Sequence, residues 1–206
     1  MKGYVCLACF SFILFSANVF PMDPVSPNCE ANLSNRQVGI FFDWSNFDKD
    51  VLGFKFKNGR YFLRYRRYSF PYLYGVKAGR ENTFSPSENS LVAAAGSFNY
   101  FFLEDTLVTP SVLLGSEISV SRNFKGESIR VFKTQILFGK EYERILPYFG
   151  PSVNWIGVNL GDDSRDKTAF NWNLGCKFYT SPGVSYGVDF TLGAMTGWRL
   201  YFNSSW

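Results

Sequence analysis

The sequence predicts an all-β protein, a closed antiparallel up-and-down barrel of about ten strands, and two observations lead to this fold class. From residue 37 onward, apolar and polar residues alternate with a period of two, and no segment shows the 3.6-residue stripe of an amphipathic helix. The chain of 206 residues is rich in aromatic residues, at 19%, and poor in charged ones, at 18%, whereas a typical soluble domain carries about 25% charge. This composition excludes disorder. The absence of a long apolar run after residue 20 excludes a helical membrane protein.

The N-terminal segment has the organisation of a secretory signal peptide, which we assign to residues 1–21. Met1 and Lys2 make a short positive start, residues 4–15 are apolar, and Ser-Ala-Asn follows. The apolar run is too short to span a bilayer, and a buried N-terminal helix is the alternative. Residues 22–36 are then an N-terminal lead-in to a barrel domain of residues 37–206.

Export would leave two cysteines, Cys29 and Cys176, which could pair in an oxidising compartment. Cys176 occupies an apolar position in the middle of a predicted strand, and Cys29 lies in the lead-in. These positions favour two free thiols over a disulfide.

The alternation and the turn residues together set the strand boundaries. Short turns at 103–106, 142–144 and 180–183 alternate with longer polar connections at 79–89, 122–127 and 159–167. We therefore predict ten strands, with eight or twelve as alternatives, roughly at residues 37–45, 51–66, 72–80, 91–102, 107–121, 128–141, 147–158, 168–179, 183–193 and 197–206. Asn58-Gly59 is a strong signal for a two-residue hairpin. Since a turn there would make the strand count odd, we interpret it as a bulge in a long strand.

The two faces of the strands differ in a way that favours a membrane. One face is apolar and carries many aromatic residues near the strand ends, where the aromatic girdles of a transmembrane barrel lie. The other is mainly Gly, Ser, Asn and Thr with isolated charges, which suits the inside of a narrow barrel. We expect these charges to form a lumenal network of Asp43, Lys77, Glu117, Lys133, Lys177, Asp189 and Arg199. A soluble lipocalin-like barrel is the alternative.

Three stretches resemble the small outer-membrane β-barrel proteins of Gram-negative bacteria, of the OmpA, OmpX and opacity-protein type. Residues 147–154, Pro-Tyr-Phe-Gly-Pro-Ser-Val-Asn, are similar to that family's Pro-Tyr-x-Gly-x-Gly strand opening, and residues 171–190 are similar to its penultimate hairpin. The last strand carries Trp198, Leu200 and Phe202 at alternate positions and ends on the aromatic Trp206. The resemblance implies a location in the cell outer membrane, contact with its lipids, and insertion by the barrel-insertion machinery through the strand ending in Trp206.

The basic cluster of Lys55, Lys57, Arg60, Arg64, Arg66 and Arg67 is interleaved with aromatic residues. We expect one face of this strand to contribute lumenal charge, and Arg64, Arg66 and Arg67 to contact lipid headgroups near the rim. The net charge of +4 is too weak and scattered to favour nucleic acid, which we do not expect as a partner.

Residues 161–166 form an acidic loop, but their spacing departs from that of an EF-hand, so we expect no metal site there. The sequence has no histidine, which excludes every mechanism that needs an imidazole base. Enzymes of the resembling architecture rely on such a base. We therefore expect no enzyme activity, no catalytic residue and no cofactor.

The expected function is that of an integral, monomeric outer-membrane barrel with a structural or surface-interaction role. Barrels of eight to ten strands are usually filled by their own side chains, whereas open channels belong to wider barrels. A narrow outer-membrane pore or transporter is the alternative.

Overall fold

The computed structural model describes residues 36–47, 53–69, 71–85, 88–103, 105–106, 108–160, 163–181 and 183–206. The predicted signal peptide, Cys29 and nearly all of the predicted lead-in lie outside the described residues. Within them, no helix is long and apolar enough to cross a membrane. The described residues form ten antiparallel strands: β1 Arg36–Phe47, β2 Phe56–Ser69, β3 Tyr72–Ser85, β4 Asn89–Leu103, β5 Ser111–Arg122, β6 Ser128–Gly139, β7 Ile145–Leu160, β8 Asp163–Ser181, β9 Val184–Gly193 and β10 Met195–Ser205.

Each strand pairs with its neighbours in the sequence, and β1 pairs with β10 to close the barrel. The predicted fold class is therefore confirmed. We call the end that carries the β2–β3, β4–β5, β6–β7 and β8–β9 connections the turn end, and the opposite end the loop end. Both the start of β1 and the end of β10 lie at the turn end, since Gln37 is opposite Ser205.

Two of the long connections predicted at the loop end are mostly strand. β3 continues to Ser85 and β4 begins at Asn89, while β7 continues to Leu160 and β8 begins at Asp163. The prediction of loops at 79–89 and 159–167 was wrong, because polar side chains do not by themselves indicate a loop. Backbone pairing does not require an apolar side chain, and in β3 the polar residues Glu81 and Thr83 face the barrel interior, each 1% exposed.

Asn58-Gly59 lies inside β2 and makes no turn. β2 pairs with β1 without interruption, whereas its register with β3 shifts between Lys57 and Asn58. The interpretation as a bulge in a long strand is confirmed, and it explains why an even number of strands closes the barrel.

The outer surface of the barrel carries an apolar band. Large side chains exposed on it include Ile40, Phe42, Leu63, Val76, Val92, Phe98, Ile118, Phe149, Trp155, Phe170, Trp172 and Phe190. Charged outward residues of the described strands lie toward the two ends, with Arg67 at the turn end and Arg80, Arg122 and Arg130 at the loop end. An uncharged band between polar rims is the surface that a lipid-facing barrel presents.

Apolar side chains cross the interior at both ends. The loop-end layer consists of Phe47, Phe56, Leu91, Ile129, Ile156, Val158 and Ala169. The turn-end layer consists of Leu73, Phe101, Leu113, Leu137, Leu146 and Tyr148. Since the members of each layer come from at least five strands, each layer brings together side chains from across the lumen. Many polar residues of the interior lie between the layers, but Glu81 and Lys177 lie level with Leu91 and Leu146 of the layers themselves.

Candidate functional site

The candidate site is the lumen, where a cavity of about 120 Å³ is lined by charged and amide side chains together with apolar and aromatic ones. The strand parity creates it: along each strand every second side chain points inward, and many of those in the middle of the strands are polar. Because many of these charged groups are buried, they must satisfy one another or bind something else.

Asp43 is the centre of the strongest ion-pair cluster. It lies directly opposite Arg199 of β10 on one side and Arg60 of β2 on the other. Arg199 donates to both carboxylate oxygens of Asp43, with its Nε at 2.6 Å and its Nη2 at 3.1 Å. The guanidinium of Arg60 lies 3.3 Å from the same carboxylate. The bidentate contact with Arg199 orients both side chains. Together with the Arg60 contact, it joins strands β1, β2 and β10.

Lys77 and Glu117 form a second pair, although β4 lies between their strands. Lys77 Nζ donates to the Glu117 carboxylate at 2.5 Å. Their register neighbours on β4 are Ala95 and Ser97, whose small side chains leave the space over which the pair meets. The position of the ion pair therefore depends on the short side chains of the strand between.

Asp189 accepts a hydrogen bond from Tyr148, and Tyr148 and its neighbour Tyr201 both lie over glycines. Tyr148 donates a hydrogen bond to Asp189, and the Tyr148 and Tyr201 hydroxyls are 3.2 Å apart. Gly175 lies opposite Tyr148, and Gly187 lies opposite Tyr201. A Cβ at either glycine would collide with the tyrosine ring. These glycines are needed for close approach of the rings.

The other two predicted network residues, Lys133 and Lys177, also face the lumen. Lys133 Nζ donates to the Asn173 side-chain oxygen at 3.1 Å. Lys177 is 1% exposed, and its ammonium lies 4.1 Å from the centre of the Tyr179 ring. All seven predicted network residues thus lie inside the barrel, and ion pairs among the described residues join Asp43, Lys77, Glu117, Asp189 and Arg199, with a long Arg199–Asp189 distance of 3.9 Å.

The residues predicted to contact lipid headgroups do not all face the same way, because neighbouring positions of a strand point to opposite faces of the barrel wall. Arg64 and Arg66 are only 3% and 8% exposed and point into the barrel, so the expectation that they contact headgroups was wrong. Inward parity begins with Phe56 and includes every even-numbered residue up to Arg66. Arg67 has the outward parity and is exposed at the turn end, opposite Arg36 of β1.

Several interior residues were not found from the sequence. Phe41 is 2% exposed at the centre of the lumen, with the Arg64 guanidinium 4.0 Å from its ring centre. Glu81 accepts hydrogen bonds from Asn58 and Ser121. Phe41 was hidden in a run of apolar residues, although it shares the inward parity of Asp43. Glu81 fell in a segment predicted to be a loop.

The described residues offer little for chemistry beyond charge and hydrogen bonding. Among them there is no group of three or more His, Cys, Asp or Glu that could hold a metal ion. Residues 163–166 of the predicted acidic loop belong to β8, and residues 161 and 162 lie outside the described part. The lumen can hold an ion or a small polar molecule, and its charges can orient one.

Comparison with known proteins finds a solved structure with a similar fold. No family model matches the sequence, and no curated protein matches it. The structure is similar to the crystal structure of an outer membrane channel from Pseudomonas putida F1, with a TM-score of 0.54 and 9% sequence identity. The match covers 92% of this chain and 100% of that chain. At this identity the likeness shows a shared barrel fold.

Proposed function

We propose that this protein is an integral outer-membrane β-barrel with a closed lumen, whose role is structural or surface interaction. The observation that carries the proposal is the pair of apolar layers crossing the interior at both ends. Between them, ion pairs such as Asp43–Arg199 and Lys77–Glu117 join strands on the lumenal side. On this proposal, the filled lumen stabilises the barrel and blocks a continuous water path.

The membrane part of the proposal rests on the outer surface. The uncharged apolar band would be a large exposed patch in water, whereas in a bilayer it faces hydrocarbon. Closure between β1 and β10 leaves no unpaired strand edge, as lipid requires. The proposed partners are the lipids of the outer membrane and, during insertion, the barrel-insertion machinery acting on β10. We propose a monomer.

The proposed surface role is supported by the hairpins, which extend to different distances at the loop end of the barrel. β8 has 19 residues whereas β9 has 10, and Gly193 pairs with Asn171 in the middle of β8. The β7–β8 hairpin therefore projects beyond its neighbour at the loop end. Its exposed residues Ser164, Arg165, Asp166 and Lys167 are polar and include both signs of charge. Such a hairpin can present a polar surface outside the membrane.

A narrow pore is the second candidate function. The similar structure from Pseudomonas putida F1 is a channel, and the lumen here contains a cavity lined by charged residues. The two candidates differ in one measurable property: a pore conducts ions through the wild-type barrel, whereas a closed barrel does not.

Single-channel recording in planar bilayers tests the proposal. We expect no steady openings from the wild-type barrel. A variant with Phe56→Ala and Leu146→Ala, one change in each apolar layer, should show intermittent openings and proves that the assay detects an opened lumen. The matched control is Phe42→Ala, which shortens an outward side chain and should stay closed. Steady wild-type openings would overturn the closed-lumen role and establish the pore.

A further inference from the structure

Two arginines on the outer surface of the barrel lie at the loop-end limit of the apolar band. Arg80 of β3 and Arg122 of β5 are on the same level as Val92 of β4, which lies between them. All three side chains have outward parity and are exposed. Because neighbouring strands are about 5 Å apart, the two arginine Cα atoms are about 10 Å apart. Long side chains at this separation can both approach one group placed over Val92.

Neither of these arginines has a charged partner within the described part of the protein. No hydrogen bond or ion pair among the described residues engages Arg80 or Arg122. Of the carboxylates at this end, Glu81 follows Arg80 in the sequence but faces the lumen. Glu127 accepts hydrogen bonds from two asparagine side chains, and Glu88 lies beyond the first residue of β4. Both guanidinium groups are therefore available to an external anion.

Arg130 of β6, the next outward arginine of this end, is arranged differently. Gly157 of β7 lies opposite Arg130 on one side and opposite Asp166 of β8 on the other. A Cβ on Gly157 would lie 3.6 Å from Arg130 Nε and would collide with a carboxylate oxygen of Asp166. Both side chains therefore extend over Gly157. Arg130 is directed away from Arg122 and toward an acidic neighbour.

The surface next to the two arginines, toward the middle of the barrel, is apolar and shallow. From Val92, β4 continues on its outer face with Ala94 and Gly96, and Gly96 lies between Val76 of β3 and Ile118 of β5. Val76 is 61% exposed and Ile118 is 58% exposed, whereas the nearest atom to a Cβ built on Gly96 is 3.9 Å away. Two projecting side chains with a glycine between them form a shallow groove. A hydrocarbon chain can lie in it while its polar end reaches the guanidinium groups.

We propose that Arg80 and Arg122 bind the phosphate of a membrane lipid in the leaflet at the loop end, with an acyl chain of that lipid along the outer face of β4. The inference rests on the proposed membrane location and names one class of lipid partner. Guanidinium groups suit a phosphate because each donates several hydrogen bonds to it. The outward positions of β9, β10 and β1 at the same end are uncharged. The site therefore lies on one side of the barrel.

The experiment measures lipid binding to the full barrel by native mass spectrometry from micelles of an uncharged detergent. The probes are dioleoyl phosphatidic acid and dioleoylglycerol, which has the same acyl chains and no phosphate. We expect phosphatidic acid to bind saturably and about tenfold or more tightly than dioleoylglycerol. Inorganic phosphate at the same concentration should not displace it. Equal binding of the two lipids, or displacement by inorganic phosphate, would overturn the lipid site.

Variants of exposed arginines, which should fold normally, make the result specific. Arg122→Gln should weaken the binding of phosphatidic acid by about fivefold, and the double variant Arg80→Gln with Arg122→Gln should lose the preference over dioleoylglycerol. The matched control Arg130→Gln removes the same charge from the same end and should leave the affinity nearly unchanged. Equal losses in Arg122→Gln and Arg130→Gln would show only a general attraction to surface charge and would overturn the site. A wild-type chain that does not fold in micelles would contradict the membrane barrel itself, whereas a folded barrel without a preference for phosphate would contradict the lipid site alone.

Discussion

Asn173 shows how one inward side chain joins four strands. From β8 it accepts hydrogen bonds from Lys133 of β6 at 3.1 Å and from Thr191 of β9 at 3.3 Å. Its amide nitrogen donates to the backbone carbonyl of Gly150 on β7 at 3.4 Å. The side chain is 5% exposed. An asparagine is suited to this position because it offers donors and an acceptor without adding charge.

Replacing Asn173 with leucine should destabilise the barrel by about 1–3 kcal/mol, because the buried ammonium of Lys133 loses its partner. Equilibrium urea unfolding in detergent micelles measures this cost. The matched control is Cys176→Leu on the outward face of the same strand, where an added apolar group meets lipid or detergent and should change stability little. Equal effects of the two changes would contradict the assignment of the faces.

At the scale of the strand, β7 has a local break in its pairing with β6. Regular pairs run through Gln135 and Ser152 and resume at Phe138 and Phe149, with none between. Pro151 lies in this gap and has no N–H to donate. The neighbouring Gly150 approaches the β6 backbone closely, where a Cβ would collide with the Ile136 carbonyl oxygen and lie 3.0 Å from the Leu137 Cα.

Gly150→Ala should therefore destabilise the barrel by about 1–3 kcal/mol, the usual cost of overpacking where backbone must shift. The control is Gly96→Ala on β4, where the nearest atom to the added Cβ is the Ile118 Cγ2 at 3.9 Å and no shift is needed. Thermal and urea unfolding of both variants in micelles provide the comparison. A tolerated alanine at position 150 would show that the close approach is not needed for the strand pairing.

At the scale of the whole molecule, the lipid-facing band makes a prediction that separates a membrane barrel from a soluble one. Val188 points outward between Leu200 of β10 and Cys176 of β8, in the uncharged part of the surface. Val188→Lys should cost about 2–4 kcal/mol in lipid vesicles, the cost of a cation at the bilayer midplane.

The control for this change is Ser164→Lys, an exposed position of β8 at the loop end, which should be nearly neutral. Unfolding in urea is followed in vesicles by tryptophan fluorescence. In a soluble barrel both lysines would face water and neither would cost much. Equal stability of the two variants, with a wild-type chain that stays folded without detergent, would rule out the membrane assignment.

The strand count and the two faces of each strand could be predicted from the sequence, because both follow from a period-two pattern that every pleated strand must obey. The inward positions of Asp43, Lys77, Glu117 and Asp189 come from the same parity. Glu81 and the true heights of the hairpins could not be predicted in this way. Polar residues that extend a strand beyond the membrane have the same composition as residues of a loop.

The sequence by itself thus determined local features. These are the alternation of apolar and polar residues, the turn residues, and the apolar and polar faces of each strand. Only the tertiary structure decided which inward groups meet, because the stagger of the strands around the closed barrel sets the height of each residue relative to the others. Lys77 and Glu117 pair across β4 although 40 positions separate them. The same closure brings Arg64 of β2 to Asn203 of β10, to which its guanidinium donates across β1 at 2.6 Å.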